Sequence, residues 1–300
     1  MKRCAFLSMA SLEKFVCYDA LLHAPLKRYG WHAETVDWRD NSIDWNQFDA
    51  VIIRSCWDYQ NNPAQFLAVL ATIENSRANL ANSLEVVRWN LSKIYLRDLE
   101  AKGIPIVPTE WFHGLDVAAL PPLFTHWQTP EIIIKPVISA CADDTFRLTP
   151  TALTQQAKTL ATLFQERDCM VQPFIPVIVT EGEYSLFFFG DEYSHTILKT
   201  PKSGDFRVQE EHGGQLQSVE PEAILLELSR AALAAIPEPT LYARVDWVRT
   251  DNGFALMELE LIEPSLYFNM DAASAERFAR VFAAGYFRGS KALRFVSAHT

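Results

Sequence analysis

Short apolar runs alternate with helix-length amphipathic segments along the chain, the pattern of layered α/β structure. Cys4 to Leu7 reads as a first strand, and Ser11 to Tyr29 as a helix closed by Gly30. His32 to Val36 and Ala50 to Ile53 read as further strands, and Pro63 to Glu74 as a helix with proline in its first turn. This predicts a small doubly wound unit over residues 1–85. Its third strand runs into Arg54-Ser55-Cys56-Trp57-Asp58-Tyr59, a polar and aromatic cluster at a carboxyl end, where such sheets bind ligands. An arginine there can grip a carboxylate with its fork, beside Ser55, while Asp58 can meet an ammonium; the plain alternative for Arg54 is a structural ion pair.

A second unit is predicted to start near Asn90. Asn90 is a plausible N-cap, Leu91, Ile94, Tyr95 and Leu99 share one helical face, and Gly103 closes the helix. Ile132 to Pro136 reads as a buried strand, Thr151 to Arg167 as a helix and Cys169 to Phe174 as a strand. Two strands joined around Gly190-Asp191 follow, then a helix from Ala223 to Ile236, a hairpin from Leu241 to Leu261 and a terminal helix from Ala272 to Phe287. The expected division is 1–85, 86–170 and 171–300.

The hairpin is the most informative stretch. Asp251-Asn252-Gly253 suits a three-residue loop, and with Thr250 facing Phe254 the register sets Asp246 opposite Glu258 and Arg244 opposite Glu260. Alternation then gathers Arg244, Asp246, Glu258 and Glu260 on one face and Val245, Trp247, Met257 and Leu259 on the other. Three carboxylates crowded on one face repel unless neutralised. A hard divalent cation with oxygen ligands answers that need, Mg²⁺ or Mn²⁺; a solvated acidic face balanced by Arg244 is the bland alternative.

Composition narrows the field. Lys and Arg total 27 against 37 Asp and Glu, a formal charge of −10, and no basic footprint for nucleic acid or an anionic membrane is present. No window has the apolar length of a membrane span, and the first ten residues lack a signal-like core. Five scattered cysteines without a C-x-x-C pair fit reduced thiols, and the expectation is a cytoplasmic protein acting on small molecules, with a homodimer left open.

Lys135 ends an apolar strand and Lys93 lies on the helix after Asn90; each taken singly reads as a solvated lysine. Neither a P-loop nor a G-x-G-x-x-G fingerprint occurs. The order of features carries more weight: Lys93, then Lys135-Pro136, then Gln172-Pro173-Phe174-Ile175, Glu181-Gly182-Glu183, Gly204-Asp205-Phe206-Arg207, Arg244-Val245-Asp246 and Glu258-Leu259-Glu260. From about Asn90 to Phe268 this resembles the ATP-grasp superfamily, in the branch of glutathione synthetase-like and ribosomal-protein-S6-modifying-like ligases. Arg54 to Tyr59, Val87-Arg88-Trp89-Asn90 and Lys135 to Ala140 are similar to the O-ureido-serine cyclo-ligase group of D-cycloserine biosynthesis.

The resemblance implies an ATP-grasp fold, α+β in its C-terminal part, preceded by a small doubly wound α/β domain. It implies ATP phosphates held by Lys93 and Lys135, adenine at Phe174 and Ile175 beside Gln172, ribose at Glu181 or Glu183, and Mg²⁺ on Asp246, Glu258 and Glu260. Arg207 would face the transferred phosphoryl, assisted by Arg244. Many relatives carry Asn where Glu260 stands. The loop after Lys135 departs further: it has no glycine, leaving Ser139 and Ala140 to cover the phosphates, and Cys141 there reads as a small loop residue rather than a nucleophile. The implied activity is ATP-dependent ligation of a small carboxylate to a nitrogen nucleophile. Its rivals are a metal-dependent hydrolase or phosphotransferase, and a nucleotide-binding protein without turnover.

Overall fold

In the computed structural model, which describes residues 1–140 and 142–285, strands β1 (Lys2–Ser8), β2 (Trp31–Asp37), β3 (Ala50–Ser55) and β4 (Asn79–Ala81) form a parallel sheet in the order β2-β1-β3-β4. β3 is buried along its whole length because both faces are covered. The helix Pro63–Asn75 lays Phe66, Leu70 and Ile73 against Val51 and Ile53, while Phe6 and Ile52 on the opposite face meet Leu26, Phe187 and Phe278.

The helix expected over Ser11 to Tyr29 is reduced to one 3-10 turn at Asp19–Leu22 and a short α-helix at His23–Arg28. Pro25 is tolerated only in a first turn, so the helix starts just before it. Upstream, Phe15 packs on Trp57 and Asp19 pairs with Arg54, contacts that outweigh local helical spacing.

A second sheet holds β5 (Glu110–His113), β6 (Ile132–Pro136), β7 (Phe146–Leu148) and β8 (Asp168–Pro173) in the antiparallel order β5-β8-β6-β7. The helix Pro150–Leu163 covers it through Leu153 and Leu160. A third, antiparallel sheet holds β9 (Glu183–Phe189), β10 (Glu192–Thr200), β11 (Gln215–Ser218), β12 (Tyr242–Thr250) and β13 (Gly253–Glu260), in the order β11-β10-β9-β12-β13. The last described helix, Ser274–Ala284, packs back on the first sheet, with Phe282 4.6 Å from Trp31 between ring centroids. Cys141 and the end of the predicted terminal helix at Phe287 lie outside the described residues. Among those described, no helix is long and apolar enough to cross a membrane.

The hairpin register is reached differently from the expected route. Thr250 faces Gly253, so the loop is the two residues Asp251-Asn252, one shorter than predicted. A bulge at Met257 then restores the pairing, and Asp246 faces Glu258 while Arg244 faces Glu260. The extra residue also turns Met257 toward the cleft between sheets, not into the core with Val245 and Trp247.

Asn90 is not an N-cap. It ends the helix Leu84–Asn90, and the next helix spans Tyr95–Ala101. Its buried amide donates to the Leu259 carbonyl at 2.8 Å and accepts from the Leu261 N–H at 2.9 Å. Asn90→Ala therefore strands two buried backbone groups of the strand that carries Glu258 and Glu260. A destabilisation of about 2–5 kcal/mol in urea unfolding is expected; a lost helix cap alone would cost about 1 kcal/mol.

Candidate active site

A cleft with a volume of about 210 Å³ opens between the second and third sheets, with the carboxyl end of the first sheet closing one end. Alternation along β12 and β13 delivers Arg244, Glu258 and Glu260 to its floor, with Asp246 behind them. The nearest carboxylate oxygens of Asp246, Glu258 and Glu260 all lie within 4.8 Å of one another. Three hard oxygen donors this close suit a Mg²⁺-type ion.

Cations balance them. Arg244 reaches Asp246 at 3.0 Å and also pairs with Glu260, Lys93 reaches Glu258 at 2.8 Å, and Lys199 lies 3.7 Å from Asp246 and 2.5 Å from Glu183. Burial pushes the Asp246 carboxyl up, but Arg244 and Lys199 outweigh it and hold it below the usual range. Glu258 is likewise held down by Lys93 and Lys135 against its burial. Glu260 goes the other way: burial, with Glu258 and Asp246 close by, lifts it to about 7 in spite of Arg244. Lys199 went unnoticed in the sequence because a bulge at Tyr193/His195 shifts β10 by one residue and brings Lys199 opposite Glu183.

The two lysines share the cleft but not their circumstances. Lys93 is tied down by Glu258 and by the Ser139 carbonyl at 3.1 Å. Lys135 has no carboxylate within ion-pair distance among the described residues. Burial lowers its ammonium to about 8, with Glu258 opposing the shift and Lys93 reinforcing it. The glycine-free loop still turns sharply, with Ala142 at φ 58° and Asp144 at φ 50°. Ser139 and Ala140 line the cleft.

An apolar pocket forms the cleft's other side. Phe174, Ile175 and Met257 line it, and Phe206 meets Phe174 edge-on at 6.3 Å. Gln172 is buried beside them and donates to Thr109 at 2.9 Å. Of the two acids offered for ribose, Glu183 lines the cleft and pairs with Lys199, whereas Glu181 points elsewhere, bonded to Arg249 and Tyr184. Arg207 lies at the mouth, held by Asp205 at 2.8 Å. Tyr18 donates to Glu210 at 2.9 Å and so joins the 9–22 and 201–214 segments.

The substrate clamp expected at Arg54, Ser55 and Asp58 is not free to act as one. Arg54 is 1% exposed, with its fork on Asp19 at 2.8 and 3.0 Å, and Ser55 donates to the same carboxylate at 2.7 Å. Asp58 is taken by Arg39 and the Trp38 indole. What the motif does hold is the strap 262–265. Tyr242 donates to the Ile262 carbonyl (2.7 Å), Trp57 to Glu263 (2.8 Å), Arg54 to Pro264 (3.2 Å) and Arg244 to Ser265 (3.5 Å). Four successive carbonyls are thus pinned by side chains. Glu263 and Ser265, which line the cleft from this strap, and Tyr267 just beyond it had no motif to announce them.

The chain has the ATP-grasp fold, and it is a carbon–nitrogen ligase of that class. The D-alanine–D-alanine ligase of Bacillus anthracis complexed with ATP superimposes with a TM-score of 0.72 at 13% identity, covering 98% of this chain and all of that one. The model of the D-cycloserine synthetase DcsG N-terminal domain matches residues 4–82. The cycloserine biosynthesis protein DcsG of Streptomyces lavendulae is 30% identical over 269 residues, 85% of this chain and 89% of that protein. The crystal structure of D-cycloserine synthetase DcsG gives a TM-score of 0.85 at 29% identity, covering 95% of this chain and 99% of its own. This chain belongs to the DcsG family.

Two outcomes follow from the geometry. Arg54→Met leaves Asp19 without its partner in a buried site and should cost about 3–5 kcal/mol in chemical unfolding; a surface clamp would leave stability unchanged and raise only KM. Lys135 titrates near 8, so it carries its charge below that pH and loses it above. Nucleotide affinity should therefore fall as pH rises through 8, by up to about tenfold per unit. Titration calorimetry of Lys135→Met should show weaker binding without that alkaline limb.

Proposed function

We propose that this ATP-dependent ligase uses Mg²⁺ and ATP to activate the carboxylate of a small amino acid bearing a ureido or similar nitrogen, which then closes a ring on its own acyl carbon. The observation that carries the reading is the unpaired Lys135 facing the Asp246, Glu258 and Glu260 carboxylates across one cleft, in a chain of the DcsG family. The names of its relatives, D-cycloserine synthetase and cycloserine biosynthesis protein, favour O-ureidoserine as that substrate.

In this reading the adenine lies in the pocket of Phe174, Ile175 and Met257, near Gln172, and Glu183 is placed for the ribose. Lys135 and Lys93 hold the phosphates under Ser139 and Ala140. Asp246, Glu258 and Glu260 would hold the Mg²⁺, whose charge offsets that of the phosphates. A substrate carboxylate oxygen bonds the γ-phosphorus while the bond to the β–γ bridging oxygen breaks, and ADP leaves. The substrate nitrogen next bonds the acyl carbon, the C–O bond breaks, and phosphate departs as the nitrogen gives up its proton. Arg244, fixed between Asp246 and Glu260, offsets charge at the transferred phosphoryl, and Arg207 adds to it from the mouth. An acylphosphate must be kept from water, and the Tyr18–Glu210 bond ties together the two segments from which Phe15, Arg207 and Gln209 line the cleft. No side-chain nucleophile is required.

The site assignment is tested with Asp246→Asn and Glu258→Gln. Each should weaken Mg²⁺-dependent nucleotide binding by about tenfold or more, read as loss of Mg²⁺-ATP thermal stabilisation. Stabilisation equal to the parent's in both would refute it. Spent nucleotide from a turnover reaction should chromatograph as ADP; AMP with pyrophosphate would mean an acyl-adenylate and end the acylphosphate route.

A further inference from the structure

Asp246, Glu258, Glu260 and Glu183 each have a cation within ion-pair distance, but the Glu263 carboxylate has neither an ion pair nor a hydrogen bond among the described residues. We propose that Glu263 binds the substrate's α-ammonium, so that the enzyme takes an amino acid in preference to the same molecule without its amino group. This rests on the amino-acid reading above and deepens it.

Position is the first argument. Glu263 lines the cleft, where burial, with Glu260 and Glu258 of the floor close by and against Lys93 and Arg244, pushes its carboxyl well above the usual range; an arriving ammonium is what would hold it ionised. It stands on the strap whose carbonyls are pinned by Tyr242, Trp57, Arg54 and Arg244, so its backbone is fixed before a ligand arrives. Surroundings are the second. Phe15, Trp57 and Tyr59 line the same end of the cleft, with Phe15 and Trp57 5.3 Å apart between ring centroids. The Trp57 N–H is already used on the strap, which leaves its ring to the cleft. A carboxylate beside aromatic rings suits an ammonium through a charge-assisted hydrogen bond and cation–π attraction. Polarity is the third. Lys93 and Arg244 are matched by Glu258, Asp246 and Glu260, so among the described residues Lys135 is the lysine of the cleft left for an anion, while Glu263 is a carboxyl left for a cation. A zwitterion therefore has one favoured direction, carboxylate toward the phosphoryl donor and ammonium toward Glu263. Asp58, the acid that the sequence offered for this task, is occupied by Arg39.

The test compares O-ureidoserine with 3-(ureidooxy)propanoic acid, which keeps the carboxylate and the ureido nitrogen and lacks only the amino group. The parent enzyme should prefer the amino acid by about 30-fold or more in kcat/KM for ADP release, carried mainly by KM. Glu263→Gln should reduce that preference to about threefold or less, with the KM for ATP and the unfolding midpoint unchanged. Glu263→Asp, with the charge on a shorter stem, should keep part of it. A parent-like preference in Glu263→Gln overturns the assignment and leaves the ligase reading standing. A parent enzyme that releases ADP with neither compound overturns the ring-closing reading, and the role of Glu263 with it.

Discussion

Everything around the cleft depends on keeping opposite charges interleaved in a place with little water. Asp246, Glu258 and Glu260 are set side by side by a β-hairpin, and a hairpin cannot spread its side chains apart. Left alone, they would repel each other and suffer the full cost of lost hydration. Arg244, Lys93 and Lys199 make the arrangement stable by threading between them, and each cation comes from a different element: β12, the turn after the helix Leu84–Asn90, and β10. The charge lattice thereby ties the third sheet to the segment entering the second. Among the described residues that line the cleft, Lys135, Glu263 and the exposed Glu211 stay outside the pairing.

The sequence disclosed the broad architecture because long, strongly patterned segments are governed by burial. β1, β3, β6, β8 and both main hairpins lie where their apolar runs placed them. Features decided by a single residue of backbone were harder. The Asp246–Glu258 pairing was anticipated through a loop one residue too long, and the bulge at Met257 made up the difference; on β10 a similar bulge had no such compensation, and Lys199 stayed hidden. Short strands such as β4, β5, β7 and β11 carry too little pattern to stand out.

Arg54 shows a different limit. Its place at a strand's carboxyl end pointed correctly toward the ligand cleft, but local sequence cannot reveal that Asp19, 35 residues away, fills its fork. Asn90 is the same case: an amide suited to capping was instead recruited by the backbone of β13. In both, a polar side chain satisfies a distant backbone or charge that only tertiary structure brings near.

The strap at 262–265 has a consequence for how this enzyme could change over time. Its conformation is written in Arg54, Trp57, Tyr242 and Arg244, residues scattered over nearly two hundred positions of the chain. A new side chain at 263 or 265 can be tried without disturbing those anchors, since they bind carbonyls that every residue type presents. The lining of this end of the cleft can thus diversify on a constant frame, whereas loss of one anchor alters the shape offered by all four strap residues together.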